Sequence, residues 1–93
     1  MIFDQEIARK TAKSLLQINA IKLNPKNPFI WASGWRSPIY CDNRIALSYP
    51  ETRSFLAQKI AEQAQKIYGR GYVVAGVATG AIGIGISVAD VLN

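Results

Sequence analysis

From Tyr72 to Ala89 the sequence YVVAGVATGAIGIGISVA carries no charged side chain, and nowhere else in the 93 residues does charge stay absent for so long. Such a stretch must be removed from water, and two environments do that. Inside a globular domain, Tyr72 to Val77 has the continuous, β-branched hydrophobicity of a strand buried on both faces, as in parallel sheets. A glycine-rich turn and a helix from about Ala81 to Leu92 would follow. Inside a bilayer, the 21 residues from Tyr72 to Leu92 are long enough to span, and Gly76 and Gly80 make a small-xxx-small pair. Asp90, four glycines, Thr79 and Ser87 dilute the apolarity and set the membrane reading aside.

A single strand is no sheet, so the rest of the chain has to say what surrounds it. Hydrophobic residues make up 49% and charged residues 18%, a balance that folds. The length suits one small domain or part of a larger one. Asp4 reads as an N-cap, and Ile7, Ala8, Thr11, Ala12, Leu15 and Leu16 recur at helical spacing to about residue 19. Asn24, Pro25, Asn27 and Pro28 then break regular structure. Phe29 to Trp31 and Ile39 to Cys41 read as two short strands about a Ser33-Gly34 turn, with Pro38 keeping the second at an edge. Pro50 opens a second helix whose apolar stripe is Leu56, Ile60, Ala64 and Ile67, and Gly69 stops it. In the third helix Gly83 and Gly85 each cost about 1 kcal/mol relative to alanine, which calls for a packing reason.

Charge and cysteine content narrow the chemistry. The net charge is +5, spread over eleven basic residues without a run; it suits anionic ligands without choosing among them. One cysteine and no histidine exclude an internal disulfide and a Cys/His zinc site, and point to a reducing, cytoplasmic setting. The start Met-Ile-Phe-Asp does not read as a secretory signal.

Two stretches are candidates for a site. In GVATGAIGIG a strand runs into a turn bearing Gly76, Thr79 and Gly80 before a helix, which offers backbone N–H groups and a positive helix end to a phosphate. The spelling matches neither G-x-G-x-x-G, since position 88 is Val, nor a Walker loop, since no Gly-Lys-Ser/Thr follows. Taken alone, the turn is equally well explained by close helix-to-sheet packing. The other stretch is SGWRSPIYCDNR, residues 33 to 44. By itself it reads as a hairpin with an Asp42–Arg44 surface pair, or as an aromatic and basic platform for single-stranded nucleic acid. The even spread of positive charge disfavours the platform.

The order SGWRSPIYCDNR, then a helix opened by YPETR, then VVAGVATGAIGIGISVADVLN resembles the N-terminal half of orotate phosphoribosyltransferases, from about residue 5 onward. The resemblance implies an α/β fold, the parallel sheet of type I phosphoribosyltransferases with an N-terminal hood. Residues 1–48 would be the first helix and hood hairpin, and 49–93 the start of the core. It implies orotate and phosphoribosyl pyrophosphate as substrates, Mg2+ as cofactor, a homodimer in the complete enzyme, and neither nucleic acid nor membrane as partner. It places Tyr40 and Cys41 at the orotate ring and Ala78, Thr79 and Gly80 at pyrophosphate. Arg36 is a possible ligand-facing residue by charge, while Asp42 and Arg44 brace the hood. Catalytic side chains are expected in neither stretch, because the reaction asks for positioning and neutralisation of a departing pyrophosphate.

The chain departs from the family in having Ala32 where some members carry lysine, Ala78-Thr79 in place of Tyr-Lys, and Gly80-Ala81-Ile82-Gly83 in place of a Gly-Gly-Ile-Pro type of turn. A mobile lysine- and histidine-bearing loop and an acidic ribose-binding motif, both features of the family, are absent from these 93 residues. The expectation is therefore a fragment without activity of its own. A noncatalytic binding or assembly fragment is the first alternative, and a basic nucleic-acid module the second.

Overall fold

Asp4 starts the first helix as expected. In the computed structural model, which describes residues 2–93, its Oδ1 accepts from the N–H groups of Glu6 at 2.9 Å and Ile7 at 3.1 Å, capping α1 (Gln5–Gln17). The helix ends where Asn19 turns left-handed at φ 59°. Ala20 then donates to the Leu15 carbonyl at 3.0 Å and delivers the chain into β1 (Ile21–Leu23).

Three more strands follow: β2 (Phe29–Ile30), β3 (Arg36–Ser37) and β4 (Ile39–Cys41). The expected hairpin forms, but with different partners. β2 pairs antiparallel with β3, Phe29 opposite Ser37 and Ile30 opposite Arg36, while β4 pairs antiparallel with β1, Lys22 opposite Tyr40. Pro38 is the hinge between the two ribbons: it gives no N–H to either ladder, and its carbonyl accepts from Asn24 at 2.7 Å.

A 3-10 helix over Asn43–Ser48 leads into α2 (Pro50–Tyr68). Pro50 sits in the first turn and Gly69, at φ 74°, terminates the helix, both where the sequence places them. The buried face is not the expected stripe. Ala57 and Ala61 are inside, whereas Ile60 and Ile67 are half exposed. The reason is α3 (Ile82–Leu92), whose Val88 closes on the two alanines together with Val74, Ile84 and Leu92. Methyl side chains let two helix backbones approach closely. A second small cluster, Ile18, Ala20 and Ala46 with Leu15, Ile45 and Leu56, ties α1 to the 3-10 helix.

The strand expected over Tyr72 to Val77 does not form. Among the described residues this segment pairs with no strand, and Val73 and Val77 are 94% and 79% exposed. A strand exists only through a neighbour's ladder, and a parallel neighbour needs a crossover of roughly a dozen residues or more. The strand-forming segments that precede this one are used in two antiparallel ribbons. One side of the segment nonetheless packs, with Val74 against the α2–α3 cluster.

The uncovered apolar surface shows in the dimensions. The chain exposes 7148 Å², against about 5,300 Å² expected for a compact monomer of its mass. Its radius of gyration is 14.9 Å, against roughly 12 Å for a compact chain of this length. No helix among the described residues is long and apolar enough to cross a membrane.

Candidate functional site

The two stretches singled out in the sequence meet. A groove of about 430 Å³ is lined by Tyr40, Cys41, Asp42, Asn43 and Arg44 on one side and by Gly80, Ala81 and Ile84 on the other. Residues far apart in sequence become facing walls because the main-chain N–H of Asp42 donates to Ala20 at 2.8 Å. That bond fixes the end of β4 to the buried end of α1. The 3-10 helix then places Leu47 against Gly83, where a built Cβ would fall 2.8 Å from Leu47 Cδ1.

The first wall is organised by aromatic contacts. The Tyr40 ring lies 5.7 Å from Phe29 and 5.6 Å from Trp31, each tilted by 41°, a geometry that contributes about 0.5–1.5 kcal/mol per pair beyond area burial. β2 and β4 are not hydrogen-bonded to each other, so these rings join the two ribbons. Cys41 is exposed, and its thiol donates to Asn43 Oδ1 at 3.0 Å. Trp35, at the hairpin tip, is 75% exposed.

Asp42 and Arg44 form the charged element of the groove. Arg44 Nε and Nη2 donate to the two carboxylate oxygens of Asp42 at 2.9 and 3.2 Å, and the Arg44 main-chain N–H donates to Oδ1 at 3.1 Å. These bonds hold the Asp42 carboxyl below its ordinary pKa, chiefly through the Arg44 side-chain hydrogen bonds, against an opposing contribution from burial. The same pair raises Arg44. The arrangement orients a guanidinium that stays 58% exposed beside Gly80, where a built Cβ would sit 3.8 Å from Arg44 Cδ.

Because the folded pKa of Asp42 is depressed, the interaction is present in full above the ordinary carboxylate value and is lost as pH falls through the lowered one. An NMR titration of the Asp42 carboxyl is expected to show a midpoint below that of a free aspartate. In Arg44→Gln that midpoint should move back up; an unmoved midpoint would exclude the pair as its cause.

The second wall is the turn before α3. Ala81 donates to the Val77 carbonyl at 3.0 Å and Ile82 to that of Thr79 at 3.4 Å, and the Ala78–Thr79 peptide is cis. α3 begins without a side-chain cap; the Ile82 N–H is taken by Thr79, which leaves the N–H groups of Gly83 and Ile84 uncapped in its first turn. The glycines that seemed costly for a helix have their reason here. A Cβ at Gly85 would stand 3.1 Å from Gly76 Cα, and one at Gly76 would stand 2.5 Å from the Ala81 carbonyl oxygen. They permit the approach of the 72–77 segment to α3.

Of the residues named from sequence, Tyr40, Cys41 and Gly80 share the groove, and Ala78 and Thr79 lie on the exposed turn beside it. Arg36 lies on β3 opposite Ile30, outside the groove lining. Asn43 and Arg44 are additional lining residues; Arg44 had been read only as a brace, and nothing in its local sequence signals that Gly80 comes to lie beside it. Below the groove, a second cavity of about 210 Å³, almost wholly apolar, shares Asn43, Arg44, Gly80 and Ile84 with it. Among the described residues no group of three His, Cys, Asp or Glu side chains converges to hold a metal.

The fold is similar to that of a solved α/β structure, UMP synthase of Leishmania donovani. The match has a TM-score of 0.71 and covers 90% of this chain and 18% of that one at 24% identity. At that identity the likeness speaks for the fold alone. The sequence relatives are more specific. The chain is 54% identical over 89 residues to orotate phosphoribosyltransferase of Bacteroides fragilis, covering 96% of this chain and 42% of the relative. It is 50% identical over 87 residues to that of Porphyromonas gingivalis and 48% identical over 88 to that of Enterococcus faecalis, with 41% and 42% of those chains covered. No family model matches the chain. Over nearly its whole length the chain is similar to orotate phosphoribosyltransferases, as the motifs led one to expect, and it spans about two fifths of the length of these relatives.

Proposed function

We propose that this chain forms the orotate-facing wall and the pyrophosphate-receiving turn of an orotate phosphoribosyltransferase. The complete enzyme joins orotate to phosphoribosyl pyrophosphate, giving orotidine 5'-monophosphate and pyrophosphate in pyrimidine synthesis. The observation that carries this reading is the convergence of Tyr40 and Cys41 with Gly80 on one groove, in a chain about half identical to enzymes of that name. Displacement at the anomeric carbon needs the base held in line and the departing charge neutralised. Tyr40 and the backbone at Cys41 meet the flat orotate ring. Ala78, Thr79 and Gly80, with the uncapped start of α3, receive pyrophosphate oxygens. Arg36, outside the groove lining, is by its charge the further candidate to face the anionic ligands.

Mg2+ belongs to the phosphoribosyl pyrophosphate it arrives with, since magnesium binds largely through substrate phosphates and water. The complete enzyme is a cytoplasmic homodimer without nucleic acid or membrane partners. The 93 residues by themselves bind ligand without turning it over.

Cys41 provides the test, because its thiol is exposed on the groove wall. Orotate at saturating concentration is expected to slow its alkylation by a maleimide several-fold, whereas uncharged sugars leave the rate alone. An alkylation rate indifferent to orotate would overturn the assignment of this wall.

A further inference from the structure

Arg44 is held in place more firmly than an ordinary surface ion pair requires. Asp42 accepts from its Nε and Nη2 at 2.9 and 3.2 Å and from its main-chain N–H at 3.1 Å. An exposed pair of this kind contributes little to stability, and the side chain of Arg44 stays 58% exposed. What the carboxylate fixes is direction. Two of the five guanidinium N–H groups are spent on Asp42, and three are left for a ligand. Asp42 first, and Tyr40 after it, raise the pKa of Arg44, so the guanidinium also lies near the Tyr40 hydroxyl. On its other side Arg44 Cδ stands 3.8 Å from where a Cβ on Gly80 would be. The side chain therefore sits between the two walls, and all of these contacts are made within the chain itself.

We propose that Arg44 is the side chain that binds the pyrophosphate group in this groove and that Asp42 positions it, an inference that rests on the reading of the groove given above. The turn of residues 77–81, Val-Ala-Thr-Gly-Ala, carries no cation. It offers main-chain N–H groups and the Thr79 hydroxyl to a group that bears several negative charges. Among the described residues that line the groove, Arg44 is the one cation. A guanidinium suits this ligand because its planar fork gives parallel hydrogen bonds to two phosphate oxygens. Asp42 acts in two opposed ways. Its charge lowers the attraction of the site for an anion, whereas its hydrogen bonds remove in advance the rotamer freedom that a long side chain loses on binding. The second effect prevails here, since the carboxylate occupies the Nε–Nη2 edge and leaves the Nη1–Nη2 end of the fork clear.

Calorimetry of the whole chain with inorganic pyrophosphate at low salt provides the test. Arg44→Gln is expected to weaken binding about tenfold, the scale of a charge-assisted hydrogen bond. Arg44→Lys should weaken it several-fold, because the charge returns without the fork, and it guards against a variant that fails to fold. Asp42→Asn separates positioning from charge: losing a carboxylate alone would tighten pyrophosphate binding, whereas losing the aim of the guanidinium weakens it, and weakening is expected. Tighter binding in Asp42→Asn overturns the positioning role. Protection of Cys41 from maleimide by orotate, read in the same variants, keeps this inference apart from the reading it rests on. Unchanged pyrophosphate affinity in Arg44→Gln beside intact orotate protection overturns the role of Arg44 and leaves the orotate wall standing. Weakened pyrophosphate in Arg44→Gln with Cys41 indifferent to orotate supports Arg44 and overturns the wall. Orotate protection lost in Arg44→Gln while pyrophosphate affinity stays the same would put the guanidinium on the orotate carboxylate instead and overturn the proposal. A parent chain that binds no pyrophosphate overturns both this role and that of the turn.

Discussion

Gly76→Ala is expected to be the most damaging single-methyl change in the chain. The added Cβ would lie 2.5 Å from the Ala81 carbonyl oxygen, 3.1 Å from its carbon and 3.3 Å from Ile82 Cα. All three are main-chain atoms at the start of α3, so no side-chain rotation relieves the clash. Either the 72–77 segment lifts away from Val88, Ala57 and Ala61, or the first turn of α3 unwinds. Overpacking typically costs 1–3 kcal/mol, and a rigid backbone obstacle puts this case at about 3 kcal/mol. For a domain of this size that lowers the thermal midpoint by roughly 10–25 °C.

The other glycines calibrate the result. At Gly83 the nearest atoms belong to the Leu47 side chain, which can rotate, and the gain of about 1 kcal/mol in helix propensity offsets the contact. At Gly85 the nearest atom is Gly76 Cα at 3.1 Å, an intermediate case. At Gly80 only Arg44 Cδ lies within reach, at 3.8 Å, so Gly80→Ala should keep its stability. Thermal melts of the four alanine variants should rank Gly76 lowest, then Gly85, with Gly83 and Gly80 near the parent. A Gly76→Ala melt matching the parent would show that the segment does not rest on α3 as described.

Local signals carried the helices and non-local ones did not carry the strands. Asp4, Pro50 and Gly69 each act on the backbone within a turn of themselves, so both ends of α2 and the start of α1 were legible. Ile21–Leu23 carries no such mark. With one polar residue between two apolar ones it is too short to separate from a loop, and only its pairing with Ile39–Cys41 makes it a strand. That pairing displaced the expected hairpin partner. The hydrophobicity of Tyr72–Val77 announced a strand buried on both faces, yet only Val74 is partly buried and no ladder forms, because composition reports what a segment needs rather than what the chain supplies. The apolar stripe of α2 failed for a related reason: Ala57 and Ala61 were buried by an opposing helix, and small residues are chosen for a close neighbour that one helix's pattern does not reveal. The candidate site was legible in its two halves, which the fold brings to one groove. Arg44 was missed as a groove residue because its place beside Gly80 depends on how the 3-10 helix turns.

The division of the groove into two walls predicts a crossed pattern of binding losses. Tyr40→Ala removes the ring assigned to orotate, and orotate affinity should fall by about tenfold, since an aromatic stacking contact is worth about 0.5–1.5 kcal/mol and 1.4 kcal/mol is a factor of ten. Tyr40→Phe keeps the ring and should keep most of the affinity. Thr79→Val removes a hydroxyl from the turn without changing its size, and should weaken phosphoribosyl pyrophosphate by several-fold while leaving orotate unaffected. Calorimetry with each ligand separates these effects, and with Trp35 replaced by Phe, Trp31, 5.6 Å from Tyr40, offers a fluorescence signal for the orotate wall. Equal losses of both ligands in both variants would mean that the two walls do not divide the substrates between them. Loss confined to orotate for Tyr40→Ala, and to phosphoribosyl pyrophosphate for Thr79→Val, follows only if the ring and the turn hold different parts of one reacting pair.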